Sequence, residues 1–149
     1  MIKKITIYFL IFSISTFQLI FAEEKFLSLK KNKVNVRYGP GLDHPIKYIY
    51  RKINLPVKQI DKKENWRRIS DLKNNSGWIH LSQLKSSNSI IILEDKILFK
   101  KPTNFSQPIL RLEEGRLLII KKCENGWCLI TTDSYSGWIK NKNVWGSIN

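Results

Sequence analysis

The chain has 149 residues and carries 26 Lys and Arg against 12 Asp and Glu, a net charge of +14. That length builds one ordinary domain or two very small ones and leaves no room for a large multidomain enzyme. The charge points to anionic partners, namely nucleic acid, acidic lipid headgroups or acidic glycans, although a solvated surface rich in Lys and Asn carries the same signature.

The first 22 residues stand apart. Lys3 and Lys4 precede the apolar run Ile5–Phe12, polarity rises over Ser13–Gln18, and Leu19-Ile20-Phe21-Ala22 gives way to Glu23-Glu24. A positive start, an apolar middle and a small final residue describe a secretory signal peptide. The run is also short of the roughly 20 apolar residues of a transmembrane helix. Cleavage after Ala22 is therefore expected; Ile20 is large for its place, and an uncleaved anchor is the alternative. The mature chain of 127 residues, net charge +12, is expected in the periplasm or secreted, where nucleic acid is rarely met.

After residue 22 the pattern is that of strands. Val34–Arg37, Val57–Ile60, Trp66–Ser70, Ile90–Leu93, Leu117–Lys121 and Trp127–Thr132 are short runs rich in Ile, Val, Leu, Trp and Thr, divided by Gly, Pro, Asn and Asp. No segment holds an i, i+3, i+4, i+7 apolar pattern over three turns. Helix is expected only as single turns at Leu81–Leu84 and Asn141–Val144.

These strands recur. Leu55–Ile60, Glu64–Ile69 and Ser76–Ile79 in the first half match Arg116–Ile120, Glu124–Ile130 and Ser136–Ile139 in the second. Trp78 and Trp138 are 60 apart and Trp66 and Trp127 are 61 apart, a difference assigned to Gly126 as a one-residue turn insertion. Two units follow, 27–86 and 88–146, with Lys85–Asn88 as a polar joint. About five bent strands per unit must close into a small barrel, because an open sheet that size leaves unpaired edges. The fold class is all-β. Charge divides unevenly, with 14 basic and 4 acidic side chains in 27–86 and 9 and 6 in 88–146, so the first unit carries most of any electrostatic function.

Val34-Asn35-Val36-Arg37-Tyr38-Gly39-Pro40-Gly41 resembles the opening Asn-x-Arg-x-Gly-Pro signature of bacterial SH3 domains. Leu55-Pro56-Val57, Asn65-Trp66-Arg67-Arg68-Ile69 and Gly77-Trp78-Ile79-His80 are similar to the SH3-like domain proteins of α-proteobacteria. Cys123, Gly126-Trp127-Cys128, Gly137-Trp138-Ile139 and Val144-Trp145-Gly146 extend the likeness through the second unit, so that it covers nearly all of 27–146. The resemblance implies an exported protein of two tandem SH3-like barrels, a cell-envelope or cell-wall-associated binding module. Leu72 stands where relatives often carry a second Trp, so one aromatic of the usual surface is missing.

The binding candidates lie in the first unit: Arg37, Tyr38, Tyr48, Trp66, Arg67 and Arg68. Tyr and Arg anchor peptide or glycan recognition with little entropic loss. Arg37 has a second reading, as a tie for the loop at Gly39-Pro40-Gly41. Trp66, Trp78, Trp127 and Trp138 recur in both units; one of each pair is expected beside the core and the other in a groove, since Trp prefers sites with one wet edge.

The cysteines give the sharpest local inference. Asn125-Gly126 is a strong type I′ hairpin signal. With those two residues as the loop, Glu124 pairs with Trp127 and Cys123 stands opposite Cys128, at a rung where Cα atoms approach to about 4.5 Å, within disulfide reach. An exported chain meets an oxidising compartment. Cys-x-x-x-x-Cys is not a catalytic dithiol spacing, and a metal site needs further ligands where the second unit has no His.

No catalytic constellation is legible. His44 follows Asp43 and His80 follows Trp78-Ile79, both remote in sequence from the thiols, and no Gly-x-Ser-x-Gly, Ser-x-x-Lys or His-Glu-x-x-His pattern occurs. The expectation is a binding protein, not an enzyme, without metal or cofactor. It recognises peptidoglycan, an acidic glycan or an envelope protein through an aromatic-basic groove. The alternatives are a charge-driven binder of nucleic acid or anionic lipid, or a structural accessory domain.

Overall fold

Short β-branched and aromatic runs, each ended within eight residues by Gly, Asn or Asp, become fourteen strands in the computed structural model, which describes residues 24–148. The segment read as a signal peptide, 1–22, lies outside them. Barrel 1 contains β1 (Phe26–Leu29), β2 (Val34–Arg37), β3 (Ile46–Tyr50), β4 (Pro56–Lys63), β5 (Trp66–Ser70), β6 (Ser76–His80) and β7 (Leu84–Ser86). Barrel 2 repeats the set with β8 (Ser89–Ile92), β9 (Lys96–Phe99), β10 (Pro108–Leu112), β11 (Leu117–Glu124), β12 (Trp127–Thr132), β13 (Tyr135–Lys140) and β14 (Val144–Gly146).

The two sheets share one topology, β3-β2-β6-β5-β4-β1-β7 and β10-β9-β13-β12-β11-β8-β14. Each has seven strands where the sequence suggests about five; segments of three or four residues such as β1, β7 and β14 are too short to display an alternation. Alternate residues point inward and build two separate cores. Leu29, Val34, Val36, Val57, Ile69 and Ile79 fill the first, and Ile90, Ile92, Leu98, Leu118, Ile130 and Ile139 the second. Each such burial is worth about 1.5–3 kcal/mol, so the inward positions have little freedom to vary.

Three local expectations resolve clearly. Glu124 pairs with Trp127 and Cys123 with Cys128, Asn125 and Gly126 take the positive φ of a type I′ turn (48° and 83°), and the disulfide forms across a Cα separation of 4.1 Å. Gly126 is not an insertion, because barrel 1 has the same two-residue turn at Glu64-Asn65, between the paired Lys63 and Trp66. The extra residue lies instead between the tryptophans: five residues join the paired Ser70 and Ser76, and four join the paired Thr131 and Ser136. Leu81–Gln83 is a single 3-10 turn. Asn141–Val144 is not helical, because Asn143 sits at φ 51° and Val144 opens β14 by pairing with Ile92.

Between the barrels only Ser87 and Asn88 lie outside strands. β8 is buried at all four residues, with one face on its own core and the other toward barrel 1. Ser28 Oγ lies 2.8 Å from Ser87 Oγ and 2.7 Å from Ser89 Oγ, and Ser89 Oγ donates to Asn54 O at 2.6 Å. Beside this chain Trp145 Nε1 donates to Pro56 O at 3.3 Å and its ring meets Phe26 edge to face at 5.1 Å. The hydroxyls satisfy one another, which offsets the cost of burying them, although Asn54 Oδ1 at the end of the row has no partner among the described residues.

Candidate functional site

Strands β2, β6 and β5 lie side by side in barrel 1, and their register aligns Arg37 with Trp78 and Trp78 with Arg68. Residues opposite one another on adjacent strands share a face. Val36, Ile69 and Ile79, at alternate positions, are buried in the core, so the Arg37–Trp78–Arg68 row faces out. Gly77 permits the close crossing of β2 and β6: a Cβ there would run into Val36 Cγ1 and stand 3.0 Å from Arg37 O.

Two further side chains complete a groove of about 280 Å³. Tyr38 follows β2 directly and is 63% exposed. Lys47 is the extra residue of a β-bulge in β3, where the register shifts between Val36↔Tyr48 and Arg37↔Ile46. Bulges re-aim a side chain, and here Lys47 Nζ donates to Ser76 O at 2.9 Å and stands 5.6 Å from the Tyr38 ring.

The electrostatics follow from these partners. Arg37 Nη1 donates to Leu42 O at 3.3 Å and His44 O at 2.6 Å, so it does tie down the loop. Backbone carbonyls hold Arg37 and Lys47 in place without cancelling their charge. None of the ion pairs among the described residues involves Arg37, Lys47 or Arg68, and no carboxylate lines the groove. Three positive charges thus line one groove without a salt bridge to any of them, with Asp61 opposite Arg68 on the neighbouring β4.

Of the six sequence candidates, the structure brings Arg37, Tyr38 and Arg68 together and places the other three elsewhere. Tyr48 packs against the core with Tyr50, edge to face at 5.2 Å, and reaches the groove only through Lys47, 6.0 Å from its ring. Tyr50 donates to Asp71 Oδ2 at 2.9 Å. Burial, followed by the contact between the two phenols, pushes the Tyr50 hydroxyl far above its ordinary value; burial also raises Tyr48. Trp66 is 9% exposed and stacks edge-on to His80 at 5.2 Å. Arg67 points away from Arg68, as alternation requires, and caps the β4–β5 turn by donating to Glu64 O at 2.8 Å and Trp66 O at 2.9 Å. Trp66 thus shares the outer face with Trp78 and Arg68 but is covered there, outside the core cluster, whereas Trp78 lines the groove. Lys47 escapes a sequence reading because the bulge breaks the alternation that would have placed it.

Barrel 2 has the same positions with different chemistry. Its row reads Phe99–Trp138–Leu129. Its bulge, between Pro108 and Leu110, carries Ile109 where barrel 1 has Lys47. All three groove cations are thus replaced by apolar side chains, and Gly137 makes the close crossing, with a Cβ there 2.7 Å from Phe99 O.

A family model described as "Bacterial SH3 domain" matches the chain twice, over residues 30–85 and 95–146. Comparison with curated proteins finds no match. Among solved structures, NlpC2 from Trichomonas vaginalis is similar at 14% identity and a TM-score of 0.39, over 83% of this chain and 48% of that one. NlpC1 from the same organism is similar at 12% identity and a TM-score of 0.39, over 86% and 48%. The chain spans about half the length of these two proteins.

Proposed function

The chain belongs to the bacterial SH3 domain family, and from that premise we propose that it is a cell-envelope binding module whose first barrel takes an anionic ligand in the Arg37–Trp78–Arg68 groove. The ligand is a carboxylate- or phosphate-bearing component of peptidoglycan, an acidic glycan or an envelope protein. The observation that carries the reading is the set of three cations without a salt-bridge partner, two of them held by neutral carbonyls, set against apolar residues at the same three positions of barrel 2. The placement in the envelope rests on the family and on the signal-peptide character of residues 1–22. The protein works by binding rather than catalysis.

Arg68 is the residue to test, because Arg37 also holds its loop. Binding of residues 23–149 to purified sacculi is expected to fall about tenfold in Arg68→Ala, the low end of a charge-assisted hydrogen bond of about 1.5–3 kcal/mol. Raising salt should weaken the wild type more than the variant. An equal loss from Lys121→Ala, an exposed cation of barrel 2, would show that charge acts diffusely and that the groove is not the site.

One observation favours a second reading, attraction to an anionic membrane surface. Phe105 is 99% exposed in a loop that is internally ordered, with Lys101 N donating to Ser106 Oγ at 2.8 Å and Lys100 and Lys101 alongside. Loss of co-sedimentation with anionic vesicles in Phe105→Ala, with sacculus binding intact, is the result this reading requires.

A further inference from the structure

The replacement of all three groove cations in barrel 2 leaves more than the loss of a site. Phe99, Trp138 and Leu129 form one row across β9, β13 and β12, and Lys122 on β11 continues it. On the next rung Trp127 meets Phe99 edge to face at 5.8 Å. All four apolar side chains are only half-buried, whereas Leu98, Cys128, Ile130 and Ile139 at the alternate positions are fully buried. The core is therefore complete without them. Two ammonium groups flank the rings: Lys122 Nζ stands 5.2 Å from the Trp138 centroid and Lys140 Nζ 5.9 Å from that of Trp127. Lys122 also pairs with Glu124 at 3.3 Å, which sets an acceptor beside the donors.

We propose that this face of barrel 2 is a second binding site, for an uncharged oligosaccharide. Its size and chemistry carry the choice. Three strand spacings of about 4.8 Å make the row about 14 Å wide, about half the roughly 28 Å side of the 800 Å² patch that a stable protein interface takes from each partner. An anion meets the Glu124 carboxylate beside Lys122, whose charge that carboxylate already pairs, which leaves Lys140, among the described residues, as the one unpaired cation flanking these rings. A purely apolar ligand would strip water from two ammonium groups and a carboxylate without replacing their hydrogen bonds, which is costly. A sugar ring meets both demands. Its C–H face lies against the electron-rich face of an indole, whose quadrupole attracts electropositive groups, and its hydroxyls reach the Lys122, Lys140 and Glu124 rim.

The test uses residues 23–149 titrated with neutral hexose and N-acetylhexosamine oligomers, followed by tryptophan fluorescence and by amide chemical shifts. Saturable binding with shifts centred on Phe99, Leu129 and Trp138 is expected for at least one oligomer. Phe99→Arg with Leu129→Arg, which gives barrel 2 two of the charges of barrel 1, should weaken it at least tenfold. Leu129→Ser is the milder variant, for use if the double change lowers the melting temperature. Arg68→Ala should leave oligosaccharide binding unchanged, which separates this site from the anionic groove. No saturable binding to any oligomer overturns the proposal, as does binding that survives both variants in folded protein, or binding that maps to barrel 1.

Discussion

The two barrels agree wherever a side chain points inward and keep a tryptophan at the centre of the outer row, but diverge at the positions that flank it. Strand order is shared, the β4 and β11 bulges fall at equivalent places between Gln59/Asp61 and Ile120/Lys122, and a Gly at 77 or 137 makes the same crossing. On the outer face Arg37, Lys47 and Arg68 answer to Phe99, Ile109 and Leu129. At the tip of the long hairpin Lys62 and Arg67 occupy the rung that Cys123 and Cys128 hold in barrel 2. A small barrel spends its sequence constraint on its core, so the outer row is free to take on new chemistry, and a duplicated barrel supplies the reference against which the change is read.

The crossing glycines give the largest expected effect. Both substitutions to Ala overpack, but Gly137 meets the Phe99 carbonyl, which cannot rotate away, and Gly77 meets the end of Val36 first. Gly137→Ala should cost about 3 kcal/mol, the upper end for overpacking, and Gly77→Ala roughly half of that. Urea denaturation of both variants checks it; equal losses would mean that the crossings are not distinguished by backbone contact.

Next comes the hairpin tip. Replacing Cys123 and Cys128 by Ala should cost about 2 kcal/mol by the loop-closure relation, with amide exchange speeding up in β11 and β12 and not in β4 and β5. Uniform acceleration would show that the bridge stabilises the whole body rather than its own hairpin.

The smallest effects separate the barrels by pH. In barrel 1 the Tyr50 phenol, raised by burial and then by Tyr48, stays neutral in the fold. Its contribution is complete below the unfolded value of about 10 and is lost as pH rises beyond it. In barrel 2 hydrogen bonds from Lys96 and then Asn143 lower Glu94, and the Glu114 amide followed by Arg111 lowers Asp95. Their contribution is present above about pH 4 and fades as pH falls through the lowered values. Amide signals recorded against pH should weaken first in barrel 1 at the alkaline end and in barrel 2 at the acid end. Tyr50→Phe should shrink the alkaline step and leave the part that the half-buried Tyr48 contributes.

What the sequence displayed and what it concealed divide along the same physical lines. Asn125-Gly126 fixes a two-residue turn, and from that turn the register and the disulfide follow without tertiary information. The displacement of the one-residue difference to the 71–75 loop was also readable, since Trp66 to Trp78 spans one residue more than Trp127 to Trp138. Period-two alternation likewise separates Arg67 from Arg68. Lys47 was not readable, because a bulge cancels the parity on which placement depends. Tyr48 faced inward for a reason that lies in the register of β3 on β2, which no local pattern records.

The serine chain from Ser87 through Ser28 and Ser89 to Asn54, with Trp145 seated on Pro56, has a consequence for avidity. Two sites joined by a flexible tether gain an effective concentration set by the tether and surrender part of it to ordering. Here only Ser87 and Asn88 separate the strands of the two barrels, so if both proposed sites bind, a polymer that carries both ligand groups meets them without the ordering cost of a flexible tether.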